Sequence, residues 1–285
     1  MFVASVRGRL TVFVDGTSVD VADANQGRFS ANIADIYPVW DEFREWGNEV
    51  GASGSGDVPA ERLGPPSPHP SQVFAISLNY SDHAEEANLA IPDFPSVFTK
   101  FPSCIGGPAD HVILARPTTD WELELVVVIG RSAHNISPAQ GWDYVAGLTI
   151  GQDISDRTLQ LAGMPYPQFS LGKSFPGYGP TGPWLVTPDE LPNRDDIGLR
   201  CTLDDEVVQD FRTSKLIFPI PDLIAHLSTV VELRPGDLIF TGTSSGVGFA
   251  RDPKRFLSPG QLLTSEIEGI GTLHTKLVDG SGATK

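Results

Sequence analysis

The sequence predicts a mainly β protein with some α, and three observations carry that expectation. From Val73 onward, short β-branched and apolar runs follow one another between turn residues. Only two clear helical pieces interrupt them. The 24 prolines and 29 glycines suit a chain with many turns. A Gly/Ser/Pro-rich stretch, GASGSGDVPAERLGPPSPHPSQ, divides the chain into a small α+β N-terminal domain with its linker, residues 1–70, and a larger sheet-rich domain, residues 71–285.

Taken in order, RLTVFVDGTSVDV holds two alternating runs joined by Asp15-Gly16, the signal of a two-residue hairpin turn. In NIADIYPVWDEFREWGNEV, the residues Ile33, Ile36, Val39, Trp40, Phe43 and Trp46 fall at mostly helical spacing, and Pro38 divides or starts the helix. Beyond the linker, strands are predicted in VFAISL, VILA, ELELVVVIG, YVAGLTIGQDI, GPWLVT, LRCTLDDEVVQ, GDLIFTG and LLTSEIEGIGTLHTKLV. The two helical pieces lie around His83 to Asn88 and in PIPDLIAHLSTVV. No internal repeat has a fixed period.

The 285 residues, 40% of them hydrophobic, are enough to bury a real core. A formal net charge of −16 and a pI near 4.6 argue against nucleic acid or an anionic membrane as partner, since both require a basic surface. A small molecule or another protein is expected instead. The amino terminus lacks a continuous apolar h-region, and no apolar run approaches the length of about 20 residues that spans a bilayer. The protein is therefore expected to be soluble and cytoplasmic. Cys104 and Cys201 show no metal spacing and are too few for a disulfide framework, so they read as buried fillers in a reducing compartment.

The chemistry begins in DWELELVVVIG, Asp120 to Gly130. The run is apolar on both parities, as in a strand buried on both faces. Glu122 and Glu124 share one face and lie roughly 7 Å apart at a rise of about 3.3 Å per residue. At an effective dielectric of about 20 they repel by roughly 2 kcal/mol, before any desolvation cost. Something positive should sit between them. A second apolar run, YVAGLTIGQDISDR, ends in Asp153, which completes a three-oxygen site if the two strands are neighbours. Carboxylates without nearby His or Cys favour Mg²⁺ or Mn²⁺, and admit Ca²⁺, over zinc.

NYSDHAEEANLAIP places His83 and Glu86 at i and i+3, neighbours on one helix face, with Asp82 and Glu85 available as a capping box. A carboxylate beside an imidazole orients it, as a general base that activates water requires. A surface helix pair would give the same letters. Lys173, in FSLGKSFPGYGPTGPW, suits a cation held near an anionic substrate, and a surface lysine is the plain alternative. A Walker A motif is excluded, because Pro167 stands where its upstream glycine would be. In GDLIFTGTSSGVG, Gly242 to Gly246 formally matches G-x-S-x-G, with Asp252 and His274 following. The segment after it is a poor helix for a nucleophile elbow, and a turn whose N–H groups bind an anion fits the glycines better.

NYSDHAEEA, DWELELVVVIGRSAHNISPAQGWDYVAGLTIGQDISDR, LGKSF, GPWLVTPDEL, PGDLIFTGTSSGVG and IEGIGTL occur in the order seen in the fumarylacetoacetate hydrolase family, which the chain resembles from about Val73 to its end. It is closest to members with a D-W-E-x-E-L metal strand and a small N-terminal domain. The resemblance implies a mixed β-roll or barrel-like catalytic domain, a homodimer, and Mg²⁺ or Mn²⁺ held by Glu122, Glu124 and Asp153. It also implies a lid carrying His83 and Glu86, and an active-site lysine at Lys173. Arg157, Gln160, Gly242 and Thr243 are taken as substrate-binding residues. Ser244 stands where the family commonly has proline, which bears on the rigidity of the loop and the placement of Thr243.

The expected reaction is hydrolytic C–C cleavage of an acylpyruvate or related 2,4-dioxo acid. A 2-oxo acid would chelate the cation, His83 would activate water, and Lys173 with the metal would stabilise the enolate. Oxaloacetate decarboxylation, hydration or dehydration of a 2-oxo acid and keto–enol isomerisation pass through the same enolate and stand as alternatives. A non-catalytic Ca²⁺-binding protein is the alternative from another class.

Overall fold

The computed structural model describes residues 1–86 and 90–280. Its centre is the strand Leu123–Ile129, buried at every residue. Leu123, Leu125, Val127 and Ile129 enter one apolar core, while Val126 and Val128 enter another. Successive side chains leave a strand on opposite faces, so an apolar run on both parities requires a cover on each side of the sheet.

The main sheet orders its strands Thr17–Asp20, Arg9–Val14, Phe2–Val6, Gly179–Val186, Val145–Gln152, Leu123–Ile129, Leu238–Phe240, Val73–Ser77 and Ser96–Thr99. Two short strands, Leu63–Gly64 and Ile105–Gly106, attach at its side. Most pairs are antiparallel, but Leu238–Phe240 runs parallel to Val73–Ser77. A second sheet orders Glu206–Arg212, Gly198–Leu203, Leu262–Ile267, Gly271–Asp279 and His111–Leu114. Its Leu199, Leu203, Leu263 and Leu273 cover the odd-numbered face of the central strand. The even-numbered face is covered by Leu10, Val12, Ile36, Trp40, Phe43 and Trp46. The architecture is mixed and dominated by sheet, as expected.

In the N-terminal segment, Asp15 (φ 50°) and Gly16 (φ 74°) make the two-residue turn between Arg9–Val14 and Thr17–Asp20. Pro38 lies in a 3₁₀ stretch, Ile33–Val39, and the α-helix Trp40–Glu49 begins directly after it. Proline has no N–H to donate inside a helix, which places the boundary there. Strand Phe2–Val6 pairs with Gly179–Val186, so the main sheet runs continuously from this segment into the rest of the chain.

LRCTLDDEVVQ and LLTSEIEGIGTLHTKLV each fold as a hairpin and not as one strand. Asp204, at φ 54°, turns the first. The first expected helix spans Ser81–Glu86, which puts Asp82 in its first turn and not at a cap; Asn88 lies outside the described residues. The second spans Ile220–Ser228. Two further helices, Arg157–Gln160 and Phe169–Gly172, are single turns held by side-chain caps, Asp156 accepting from the Leu159 N–H and Gln168 from that of Leu171. Cys104 and Cys201 are free and buried. No described helix is long and apolar enough to cross a membrane.

Candidate active site

The three carboxylates meet where the even-face core ends. Glu122 and Glu124 continue the row of Val126 and Val128, and the neighbouring strand pairs Gln152 with Leu123. The next residue, Asp153, donates its N–H to the Glu122 carbonyl at 2.9 Å. One oxygen from each of Glu122, Glu124 and Asp153 lies within 4.8 Å of the others, and all three residues are buried. Two glutamines pin the backbone: Gln152 Oε1 accepts from the Glu122 N–H and Gln209 Oε1 from the Leu123 N–H, each at 3.0 Å. Both N–H groups are thereby satisfied where the regular strand begins.

Three cations answer these charges. Lys173 Nζ donates to Glu122 at 2.8 Å, Asp153 at 2.6 Å and Ser155 at 2.8 Å. Arg157 lies 2.7 Å from Glu122 Oε1 and holds Asp120 through Nε at 2.8 Å. Its Nη1 also donates to Gln160 Oε1 at 2.9 Å. Lys100, which sequence reasoning missed, is fully buried and donates to Asp153 Oδ1 at 2.7 Å, to the Tyr178 carbonyl at 3.1 Å and to the Lys173 carbonyl. It fixes one carboxylate of the trio and the backbone of the active-site lysine together.

The glycine-rich loop does bind anions, and they are the protein's own carboxylates. Gly242 N–H donates to Glu124 at 2.7 Å, Gly246 N–H to Glu86 Oε1 at 2.9 Å, and the Gly248 and Phe249 N–H groups to Asp120 at 2.8 and 2.9 Å. Glu86 Oε2 lies 3.2 Å from His83 Nδ1. The helix pair is thus anchored to the loop, and Nε2 is the imidazole nitrogen left for chemistry. Thr243 Oγ1 donates to the Leu123 carbonyl at 2.7 Å and accepts from Gln209 Nε2 at 2.8 Å. Gln209 also donates to the Ser244 carbonyl at 3.1 Å, so the loop is clamped with serine in the proline position. His274 Nδ1 faces Thr264 at 3.2 Å on the second sheet, which leaves Ser244 without a triad.

The charges favour a bound cation. Burial would raise the Glu122 carboxyl, but Lys173 and Arg157 outweigh it and hold it well below the usual carboxylate range. Burial raises Glu124 well above that range, and Asp153 and Glu122 push it the same way. One carboxylate of the trio therefore lacks a full counter-charge, and an all-oxygen, buried donor set of this kind fits Mg²⁺ or Mn²⁺.

Of the trio, Glu122 lines a cavity of about 410 Å³ whose wall also includes Lys173 and Arg157. Phe98, Phe169, Val247 and Phe249 give it an apolar side, and His83, Glu86 and Lys254 also border it. Gln160 and Thr243 line it as well, whereas Gly242 turns its N–H to Glu124.

Residues 72–278 match the family model for the fumarylacetoacetate (FAA) hydrolase C-terminal domain. The chain belongs to the fumarylacetoacetate hydrolase family. Among family relatives, it is 40% identical over 215 residues to a rat protein named oxaloacetate tautomerase Fahd2a, mitochondrial, covering 75% of this chain and 68% of that one. A crystal structure of a candidate HpcE protein from Mycobacterium smegmatis superposes with a TM-score of 0.92 at 49% identity, covering 99% of this chain and all of that one. At 24% identity, maleylpyruvate hydrolase from Sphingobium sp. SYK-6, solved with manganese(II) and pyruvate, shares the fold with a TM-score of 0.79, covering 99% of this chain and 100% of that one.

Lys100, Asp120 and Gln209 are the parts of this fumarylacetoacetate hydrolase-family site that sequence reasoning passed over. Asp120 carried a signal, a carboxylate at the head of the apolar D-W-E-L-E-L strand, and its job is to tie Arg157 to the loop. Lys100, just past the strand Ser96–Thr99, and Gln209, in Glu206–Arg212, act from distant parts of the chain, and nothing local to FTKFPS or EVVQDF reveals their targets.

Proposed function

We propose that this family member is a divalent-metal-dependent enzyme that hydrolyses a C–C bond in an acylpyruvate or related 2,4-dioxo acid. One observation carries the proposal: a histidine already oriented by an anchored glutamate borders a cavity whose wall holds Glu122 of the carboxylate trio and an apolar side. Glu122, Glu124 and Asp153 would hold Mg²⁺ or Mn²⁺, which would supply positive charge for a bound 2-oxo acid. His83, oriented by Glu86, takes a proton from water, and the water oxygen attacks the distal carbonyl. The C–C bond breaks, and its electrons pass into the 2-oxo fragment, where Lys173 would stabilise the developing negative charge. The proton held by His83 is returned to the carbon that carried the broken bond, releasing the 2-oxo acid and a carboxylic acid. Arg157, Gln160 and Thr243 shape the polar end, and the phenylalanines receive the acyl chain. The enzyme is taken as a homodimer, as the resemblance implies, and as cytoplasmic from the absence of a secretory or membrane-spanning pattern in the sequence.

A second reaction is favoured by the rat relative's name: keto–enol tautomerisation of oxaloacetate, with His83 moving the proton at the carbon next to the 2-oxo group. The apolar wall weighs toward the first, because oxaloacetate has no apolar chain to place against it. His83→Ala should lower hydrolytic turnover about 10²–10⁴-fold while calorimetric Mn²⁺ affinity is retained. Normal turnover in that variant would sink the role of His83 as the base.

A further inference from the structure

We infer that Lys254 selects substrates carrying a second carboxylate at the far end of the acyl chain, which rests on the 2-oxo acid site proposed above. Three cationic side chains line the cavity: Arg157, Lys173 and Lys254. The first two are committed to buried carboxylates of the site. Lys254 stands at an exposed position, and among the described residues no carboxylate lies within ion-pair distance of it. Its Nζ lies 3.6 Å from the centre of the Phe249 ring, a cation–π contact that holds the ammonium against the apolar wall. The same ring lies 5.8 Å from Arg157 Cζ, so a single aromatic side chain connects the polar end of the site with Lys254.

The neighbouring cations do not compete for that role. Arg251 and Arg255 both turn to Glu206, at 3.5 and 2.6 Å. Lys254 is left as the cation of this segment that borders the cavity. In a chain with a net charge of −16, an ammonium without a carboxylate partner at a cavity wall creates a local positive field for an anionic substrate. An acyl chain that packs against Phe249 reaches the ring on which the Lys254 ammonium sits. A terminal carboxylate there gains a charge-assisted hydrogen bond without displacing an existing partner, whereas a terminal methyl gains nothing from the charge.

The test is calorimetric binding of 2-oxoadipate and 2-oxohexanoate to the Mn²⁺-loaded protein. The two ligands have equal carbon number and differ only at the far end, and neither carries the 4-oxo group needed for cleavage. Wild type should bind 2-oxoadipate about tenfold or more tightly than 2-oxohexanoate. Lys254→Ala should erase the difference, Lys254→Arg should keep it, and 2-oxohexanoate should bind all three proteins alike. Binding of both ligands without preference, or a preference that survives Lys254→Ala, overturns the role of Lys254 and leaves the 2-oxo acid site standing. Failure to bind either ligand overturns both.

Discussion

Lys100 holds Asp153 from inside the protein with all three of its N–H groups engaged, two of them on backbone carbonyls around the site. Burial lowers the pKa of an ammonium, yet Asp153 outweighs it and the group is raised, so the lysine stays charged. Replacing it with methionine would leave buried Asp153 with Lys173 as its remaining cationic partner, a loss of about 1–3 kcal/mol. Lys100→Met should therefore lower stability in urea unfolding and weaken Mn²⁺ binding about 10–100-fold, the range seen when a residue that positions a ligand is lost. Lys100→Arg should recover part of the metal affinity, and unchanged Mn²⁺ affinity in the methionine variant would reduce Lys100 to a packing role. At this scale the legible residues are those whose chemistry conflicts with their neighbours. Glu122 and Glu124 stand out because carboxylates in an apolar run demand an explanation, whereas Lys100 sits in FTKFPS with no local conflict.

The elements that carry the site are two strand ends, three short helices and a loop. Gly246 lies at φ +100°, where a side chain is strained, and an added Cβ would come within 2.2 Å of the Val208 carbonyl oxygen. Gly246→Ala should cost about 1–3 kcal/mol through that strain and displace the N–H that anchors Glu86. Turnover should fall with little change in Mn²⁺ affinity, because the carboxylate trio does not use this residue; a parallel loss of both would show that the loop and the metal site move as one. Strands were readable from apolar runs, and Asp15-Gly16 marked its hairpin outright. The helices Arg157–Gln160 and Phe169–Gly172 were not, since a single turn has no periodicity to detect. Arg157, Gln160 and Lys173 were therefore nameable without the elements that aim them.

At the scale of the whole molecule, the site exists because two cores close on one strand and stop at Glu124. The N-terminal segment supplies the even-face cover, so its Trp40 and Phe43 support the strand that carries the carboxylates. That arrangement was hidden in the sequence, because pairing Phe2–Val6 with Gly179–Val186 joins residues with no local signal between them. If the trio holds a cation in the folded state alone, Mg²⁺ or Mn²⁺ at 100 times its Kd should stabilise the protein by about 2.7 kcal/mol. The thermal midpoint should rise with metal concentration, and chelator should reverse it. The decisive measurement is turnover by metal-stripped protein, with Mg²⁺ or Mn²⁺ added back, on an acylpyruvate series and on oxaloacetate in parallel, with products identified. Metal-dependent release of pyruvate and a carboxylic acid is the predicted result. Metal-dependent tautomerisation of oxaloacetate with no acylpyruvate cleaved, or cleavage that persists without metal, would contradict it.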